Sequence, residues 1–214
     1  MNLRSHRSLG VSRFLLGAIL SCAMFSIVSA AVGQPVDVVF LGSCTNGRLV
    51  DMRQAVAVLR GRRVSAEVRL EVVPSSRRQF EDAMADGTLL ALSAAGAVIG
   101  SSGCGPCLGR TGGVLAGQEI CLSTANRNYR GRMGSADASI FIGSPYVAAV
   151  AALTGVIDDP RPYLEADDEE FDALVARRRS ERAGRGAASV RSGDRSRELM
   201  VTAARHGVAA EIDD

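Results

Sequence analysis

The chain has 214 residues, enough for one or two domains with a sizeable core, and its 47% hydrophobic and 22% charged content marks most of it as globular. A net charge of only +2, scarce aromatics and the absence of Trp argue against a nucleic-acid partner and a base-stacking surface. The five cysteines, Cys22, Cys44, Cys104, Cys107 and Cys121, are an odd number in a chain too long for a disulfide scaffold, which favours free thiols, a reducing compartment and metal ligation. All basic residues are Arg, which reads as compositional bias, and the two histidines, His6 and His206, sit in terminal segments. Chemistry that needs a core imidazole must borrow it from elsewhere.

Residues 1–13 carry Arg4, Arg7 and Arg13, and Phe14 to Val32 runs without a charge to a small-residue stretch at Val28-Ser29-Ala30. This pattern fits a secretory signal, a single membrane span, a miscalled start, or a truncated gene with unrelated sequence ahead of the domain. Ile19-Leu20-Ser21-Cys22 is a poor lipidation box. From Val36 strands alternate with helices. Val36–Leu41 predicts a buried parallel strand, and Arg48–Arg60 a helix with Leu49, Met52, Val56 and Leu59 on one side. Glu67–Val73 predicts a second strand. Ser76 and Gln79 are spaced as a capping box for a helix to about Asp86, where Gly87 breaks it. A short helix and then a strand at Ala97–Ile99 follow. Glu119–Ser123 and Ser139–Ile142 predict the remaining strands, and Ser144-Pro145 opens a helix ending near Gly155. The alternation specifies an open α/β sheet, whose ligands bind beyond the carboxyl ends of the strands. Beyond Pro160, Asp167–Glu170 is acidic and Arg177–Arg179 basic. Both read as a solvated helix face and tail, with a disordered linker over 181–197 and a short helix at Glu198–Arg205.

Two glycine-rich loops carry the chemistry. Cys44 lies in Gly42-Ser43-Cys44-Thr45-Asn46-Gly47, and Cys104 and Cys107 lie in Gly103-Cys104-Gly105-Pro106-Cys107-Leu108-Gly109. A Cys-x-x-Cys pair alone fits a redox couple, half a zinc site or a pair of cluster ligands. Structural zinc wants a fourth ligand. Cys121 is the one candidate within the fold, but it lies in the apolar run Ile120-Cys121-Leu122 and reads as a buried structural thiol. Three thiolates can hold three corners of an iron–sulfur cubane and leave its fourth iron free to act on a substrate hydroxyl as a Lewis acid. Thr45 and Asn46 read either as extra donors beside such a cluster or as ordinary turn residues. A third strand-end loop, Ser123 to Arg132, holds Arg127, Arg130 and Arg132. Guanidinium groups pair bidentately with carboxylates, so a small carboxylic-acid substrate suits this rim better than nucleic acid.

Together these runs resemble the aconitase superfamily, and most closely the large subunit of 3-isopropylmalate dehydratase and its homoaconitase relatives. The matching segments are Leu41–Val50, Val73–Ser76, Gly103–Gly109, Leu122–Gly134, and Ser144-Pro145 with Asp159-Pro160, covering residues 36–162 in order. The resemblance implies a three-layer α/β/α open sheet. It also implies a 4Fe–4S cluster on Cys44, Cys104 and Cys107, with Asn126, Arg127 and Arg132 near the cluster and the substrate carboxylates. The implied reaction is dehydration and rehydration of a hydroxy di- or tricarboxylic acid, most like the dehydratase step of leucine biosynthesis. The proton is taken by a serine of a swivelling domain that, in this branch, is a separate small subunit. No catalytic acid or base is assigned within this chain.

The family's large subunit carries two further α/β domains ahead of the Cys44 region, and here an apolar segment stands in their place. The expected organisation is therefore a leader or miscalled start over 1–35, a cluster-bearing domain resembling the family's third over 36–162, and a charged, partly disordered tail over 163–214. A cytoplasmic location suits a labile cluster, and the membrane is disfavoured, although the signal-like start points to export or a membrane. The alternative function is a non-catalytic metal-binding domain that uses its cysteines, either a truncated remnant or a zinc or Fe–S module at the membrane.

Overall fold

The run from Val36 to Leu41 is apolar on both faces except for Asp37, and so belongs at the centre of a sheet that is covered on both sides. The computed structural model describes residues 31–189 and places it there. His6, Cys22 and most of the leader-like run lie outside the described residues, as do the predicted helix Glu198–Arg205 and His206.

Five strands form one all-parallel sheet in the order β3-β2-β1-β4-β5. They are β1 (Val38–Gly42), β2 (Arg69–Val73), β3 (Val98–Ile99), β4 (Ile120–Ser123) and β5 (Ser139–Ile142). Each expected strand is present. Val38 is in register with Arg69 on one side and Cys121 on the other. Every residue of β1 is buried, whereas β3 is a two-residue edge strand with Val98 exposed. An edge this short offers little template for pairing with another chain.

Side chains alternate across the strands. Val39, Leu41, Leu70, Val72 and Leu122 face one layer, and Val38, Phe40, Val73 and Cys121 face the other. The first layer is helical. After α1 (Ser43–Asn46), a single turn that follows β1 directly, it contains α2 (Leu49–Leu59), α3 (Arg77–Ala85), α4 (Thr88–Ala94) and α5 (Pro145–Thr154). Met52, Val58, Leu92, Val150 and Leu153 pack from these helices onto the sheet. The opposite layer is thinner. It is made by a 3-10 helix, Gly105–Leu108, and by the loop after β4, which contribute Cys107, Ala125 and Met133.

The helix starts follow their caps, with one exchange. Ser144 Oγ accepts from Val147 N at 3.4 Å with Pro145 at the first turn, and Ser76 Oγ accepts from Gln79 N at 3.3 Å. The Gln79 side chain does not close the expected capping box. Its Oε1 accepts from Leu49 N at 2.6 Å, so it satisfies an orphan donor at the start of α2.

The charged segment beyond residue 160 enters the fold further than its composition suggests. Two helices, α6 (Arg161–Glu165) and α7 (Asp168–Ser189), follow the sheet domain, so the residues predicted to begin a linker at 181 continue a helix. Tyr163 and Phe171 are fully buried and meet edge to face with ring centres 5.9 Å apart. Arg60 and Arg62 lie over the Phe171 ring at 4.9 and 5.0 Å. The acidic run is exposed, as expected, and Asp168 and Asp172 pair with Arg62. The basic run is not merely solvated. Arg178 grips Asp158 through Nε and Nη2 at 2.6 and 2.9 Å, and Tyr163 donates to the same carboxylate at 2.8 Å. Burial first, and then this carboxylate, push the Tyr163 phenol above its ordinary pKa. Arg179 donates to the Leu153 carbonyl at 2.8 Å, and Arg182 to that of Gly155 at 2.6 Å and to that of Val36. The Arg179 guanidinium thus satisfies the Leu153 carbonyl that the end of α5 leaves unpaired, while the Gly155 carbonyl, which already accepts from Val36 N, gains a second donor from Arg182.

Candidate metal centre and carboxylate site

A parallel sheet sends every strand-end loop to the same rim. The Cys44 loop leaves β1, the Cys104 and Cys107 loop leaves β3, and the arginine loop leaves β4. Successive strands run outward from β1 to β3, and then the chain returns to lay β4 on the other side of β1. The β1–β4 crevice is therefore the topological switch point, where sheets of this kind take their ligands.

Backbone contacts tie the two cysteine loops to a common anchor, the Val73–Ser75 segment at the end of β2. Ser75 N donates to the Gly47 carbonyl at 2.8 Å, and Gly103 N to the Pro74 carbonyl at 3.3 Å. A side chain on Gly42 or Gly47 would collide with the Val73 carbonyl, so the close approach requires glycine at both positions. Ser43, between Gly42 and Cys44, is buried and has a left-handed backbone at φ +80°, a strained conformation that persists only where its surroundings impose it. Thr124 is part of that surrounding: its Oγ1 accepts from Gly42 N at 3.0 Å, 82 residues away in sequence.

The arginine loop joins both cysteine loops. Thr45 Oγ1 donates to Asn126 Oδ1 at 3.3 Å and the Asn46 amide donates to the Thr124 carbonyl, so Thr45 and Asn46 fasten the end of β1 to the end of β4. Arg132 Nε donates to the Cys107 carbonyl at 2.7 Å. Of the loop's three arginines, Arg130 turns back onto its own loop, bonding the Ala136 carbonyl and Asp137, while Arg127 is exposed and makes no ion pair among the described residues. Asn126 is exposed, and Asn128 donates to the Ile140 carbonyl at 2.9 Å. The residues singled out in the sequence thus share one rim. Three that it did not mark complete the framework: Ser43 through its strain, Thr124 as a bridge, and Tyr129, which accepts from Arg132 Nη1 at 3.1 Å. Only the motif's density hinted at them, because their partners are remote or set by a turn.

Among the described residues no three His, Cys, Asp or Glu side chains stand close enough to hold a single metal ion. A cubane makes a different demand, because its three protein thiolates bind three separate irons and stand apart by the width of the cluster. Cys44, Cys104 and Cys107 are free thiols on these strand-end loops, with Cys44 and Cys104 exposed and Cys107 buried in the 3-10 helix. Cys121 is different in kind. It is wholly buried in β4, and burial, reinforced by the nearby Glu71 carboxylate, pushes its thiol up to about 12. An un-ionised thiol in the core is neither a ligand nor a nucleophile. Brief treatment of the native, metal-free chain with iodoacetamide is therefore expected to label Cys44 and Cys104 and to spare Cys107 and Cys121 until denaturant is added, as read by peptide mass spectrometry.

Comparison with known proteins extends this geometry. A profile of the aconitase family (aconitate hydratase) matches residues 28–155, more than half of the chain. The homoaconitase large subunit of Thermus thermophilus is 54% identical over 146 residues, 68% of this chain and 34% of that protein. The 3-isopropylmalate dehydratase large subunits of Herpetosiphon aurantiacus and Deinococcus radiodurans are 53% and 56% identical over 141 and 133 residues, 65% and 62% of this chain. The chain spans about a third of the length of these curated relatives. The parallel sheet, the order of its strand-end loops and this match across the sheet domain make the chain a member of the aconitase family.

Proposed function

We propose that this chain is the cluster-bearing part of an iron–sulfur hydro-lyase that isomerises a hydroxy di- or tricarboxylic acid, with 3-isopropylmalate as the leading substrate candidate. The observation that carries this is the convergence of three strand-end loops, two bearing the thiols and one bearing Asn126, Arg127 and Arg132, on the rim of the β1–β4 crevice. Cys44, Cys104 and Cys107 hold a 4Fe–4S cluster, which when bound supplies a Lewis-acidic iron for the substrate hydroxyl. Arg127 and Arg132 take substrate carboxylates, with Asn126 as a further polar contact. Lacking Cβ atoms, the glycines of the cysteine loops let the backbone come close to the cluster. The acid and base come from outside: among the described residues there is no histidine, and the relatives extend over about three times the length matched here. The relatives are named as large subunits, and the same assembly, with a small swivel-domain subunit and the remaining large-subunit domains, supplies those groups to this chain. Such a cluster is at home in the cytoplasm. Within the chain, residues 36–162 form the cluster-bearing domain and residues 163–189 its helical extension. Among the described residues no helix is long and apolar enough to cross a membrane.

The test is anaerobic reconstitution of the full chain with ferrous iron and sulfide. The expected result is visible sulfur-to-iron charge-transfer absorption with an EPR signal. Dehydration of 3-isopropylmalate is expected to appear only when the remaining domains of the large-subunit relatives and a small subunit are added. Stoichiometric uptake of zinc with no iron–sulfur spectrum would instead establish a non-catalytic metal-binding module.

A further inference from the structure

We infer that Tyr129 is an additional carboxylate-binding residue, its hydroxyl forming one composite clamp with Arg132; the inference rests on the carboxylate role proposed above for Arg132. The argument begins with the turn. Arg132 N donates to the Tyr129 carbonyl at 3.0 Å across Tyr129–Arg132, and Gly131 takes the left-handed φ of +78° that the turn needs. This brings the two side chains together on the rim. The Arg132 guanidinium carbon lies 5.4 Å from the centre of the Tyr129 ring, and Nη1 donates to the Tyr129 hydroxyl at 3.1 Å. Nε is used by the Cys107 carbonyl at 2.7 Å. The guanidinium is thus held from two sides.

Donor bookkeeping then decides what the hydroxyl does. Arg has donors and no acceptor, so the phenolic oxygen must accept from Nη1. The O–H proton is left over, and among the described residues the Tyr129 hydroxyl donates to no acceptor. The Tyr129 side chain is half exposed, so this proton faces the open rim rather than the core. Among the described residues the Nη2 hydrogens and the second Nη1 hydrogen of Arg132 also have no hydrogen-bond partner. A carboxylate meeting those hydrogens comes within reach of the phenol and accepts a further charge-assisted bond from it. A phenylalanine here would keep the ring against the guanidinium and lose both the restraint on Nη1 and the extra donor.

Isothermal titration of 3-isopropylmalate into the full, anaerobically reconstituted chain tests this, with Tyr129→Phe and Arg132→Ala as variants and thermal unfolding as a folding control. One hydrogen bond to a charged group at an exposed site corresponds to about a tenfold loss of affinity. Tyr129→Phe is expected to show that loss with an unfolding temperature within about 1 °C of the parent, and Arg132→Ala a larger one. If Arg132→Ala abolishes binding and Tyr129→Phe binds like the parent, the role of Tyr129 is overturned and the proposed function stands. If the parent does not bind, or Arg132→Ala binds as well as the parent, the carboxylate site itself is wrong and the inference falls with it.

Discussion

Replacing Cys104 by Ser is expected to abolish the iron–sulfur absorption of the reconstituted chain, while replacing Cys121 leaves it in place. The two cysteines are both free thiols, yet their settings are opposite. Cys104 is exposed at the start of the 3-10 helix, on a loop held to Pro74 and, through Cys107, to Arg132. Serine there is nearly isosteric, so the fold and the unfolding transition should be unchanged, and what is lost is a thiolate. A hydroxyl does not ionise in the accessible range and is a poor ligand for iron. Cys121 lies against Phe40 and Val38 in the thin layer of the core. Serine at that position buries a hydroxyl among apolar side chains and should cost about 1–3 kcal/mol of stability without touching the spectrum. Its thiol also gives a pH signature. A folded pKa of about 12 means that the native state keeps its proton where the unfolded chain, with a thiol near its ordinary value of about 8.5, has released it. The unfolded state then binds fewer protons, so the contribution is fully present below the ordinary value and is lost as pH rises through that window. The parent should therefore lose more stability between neutral and alkaline pH than Cys121→Ser does. Retention of the full spectrum in Cys104→Ser would remove Cys104 from the ligand set.

Phe171→Ala is expected to produce the largest loss of stability, about 3–5 kcal/mol for emptying a fully buried aromatic site. Phe171 is completely enclosed. It meets Tyr163 edge to face and carries Arg60 and Arg62 on its ring, and both arginines also reach Asp168. Removing the ring deletes the apolar contact and unseats those cations together. Urea unfolding should show a lower midpoint with an unchanged slope. A loss below about 1 kcal/mol would mean that α7 contributes little to the fold. The cysteine loops should be spared in the folded fraction, because Arg182 of this helix bonds the Val36 carbonyl ahead of the start of β1, while Cys44 follows its end.

The comparison between Cys121 and Phe171 separates what the sequence settles from what packing settles. Strand positions, strand-end glycine loops and the thiols within them are local features. An apolar run bounded by glycines means a buried parallel strand wherever it occurs, and the parallel alternation alone forces the loops onto one rim. The family resemblance rested on those same local runs, and the match over residues 28–155 bears it out. The partners of Gln79, Thr124 and Arg182 are not local. Gln79 caps a neighbouring helix 30 residues away, Thr124 bonds Gly42 across 82 residues, and Arg182 meets carbonyls at Val36 and Gly155. A run such as Arg177–Arg179 has the same composition in a solvated tail and on a helix that closes a core. Which it is depends on whether acceptors such as the Asp158 carboxylate and the Leu153 carbonyl stand within its reach, and only the folded chain brings them there.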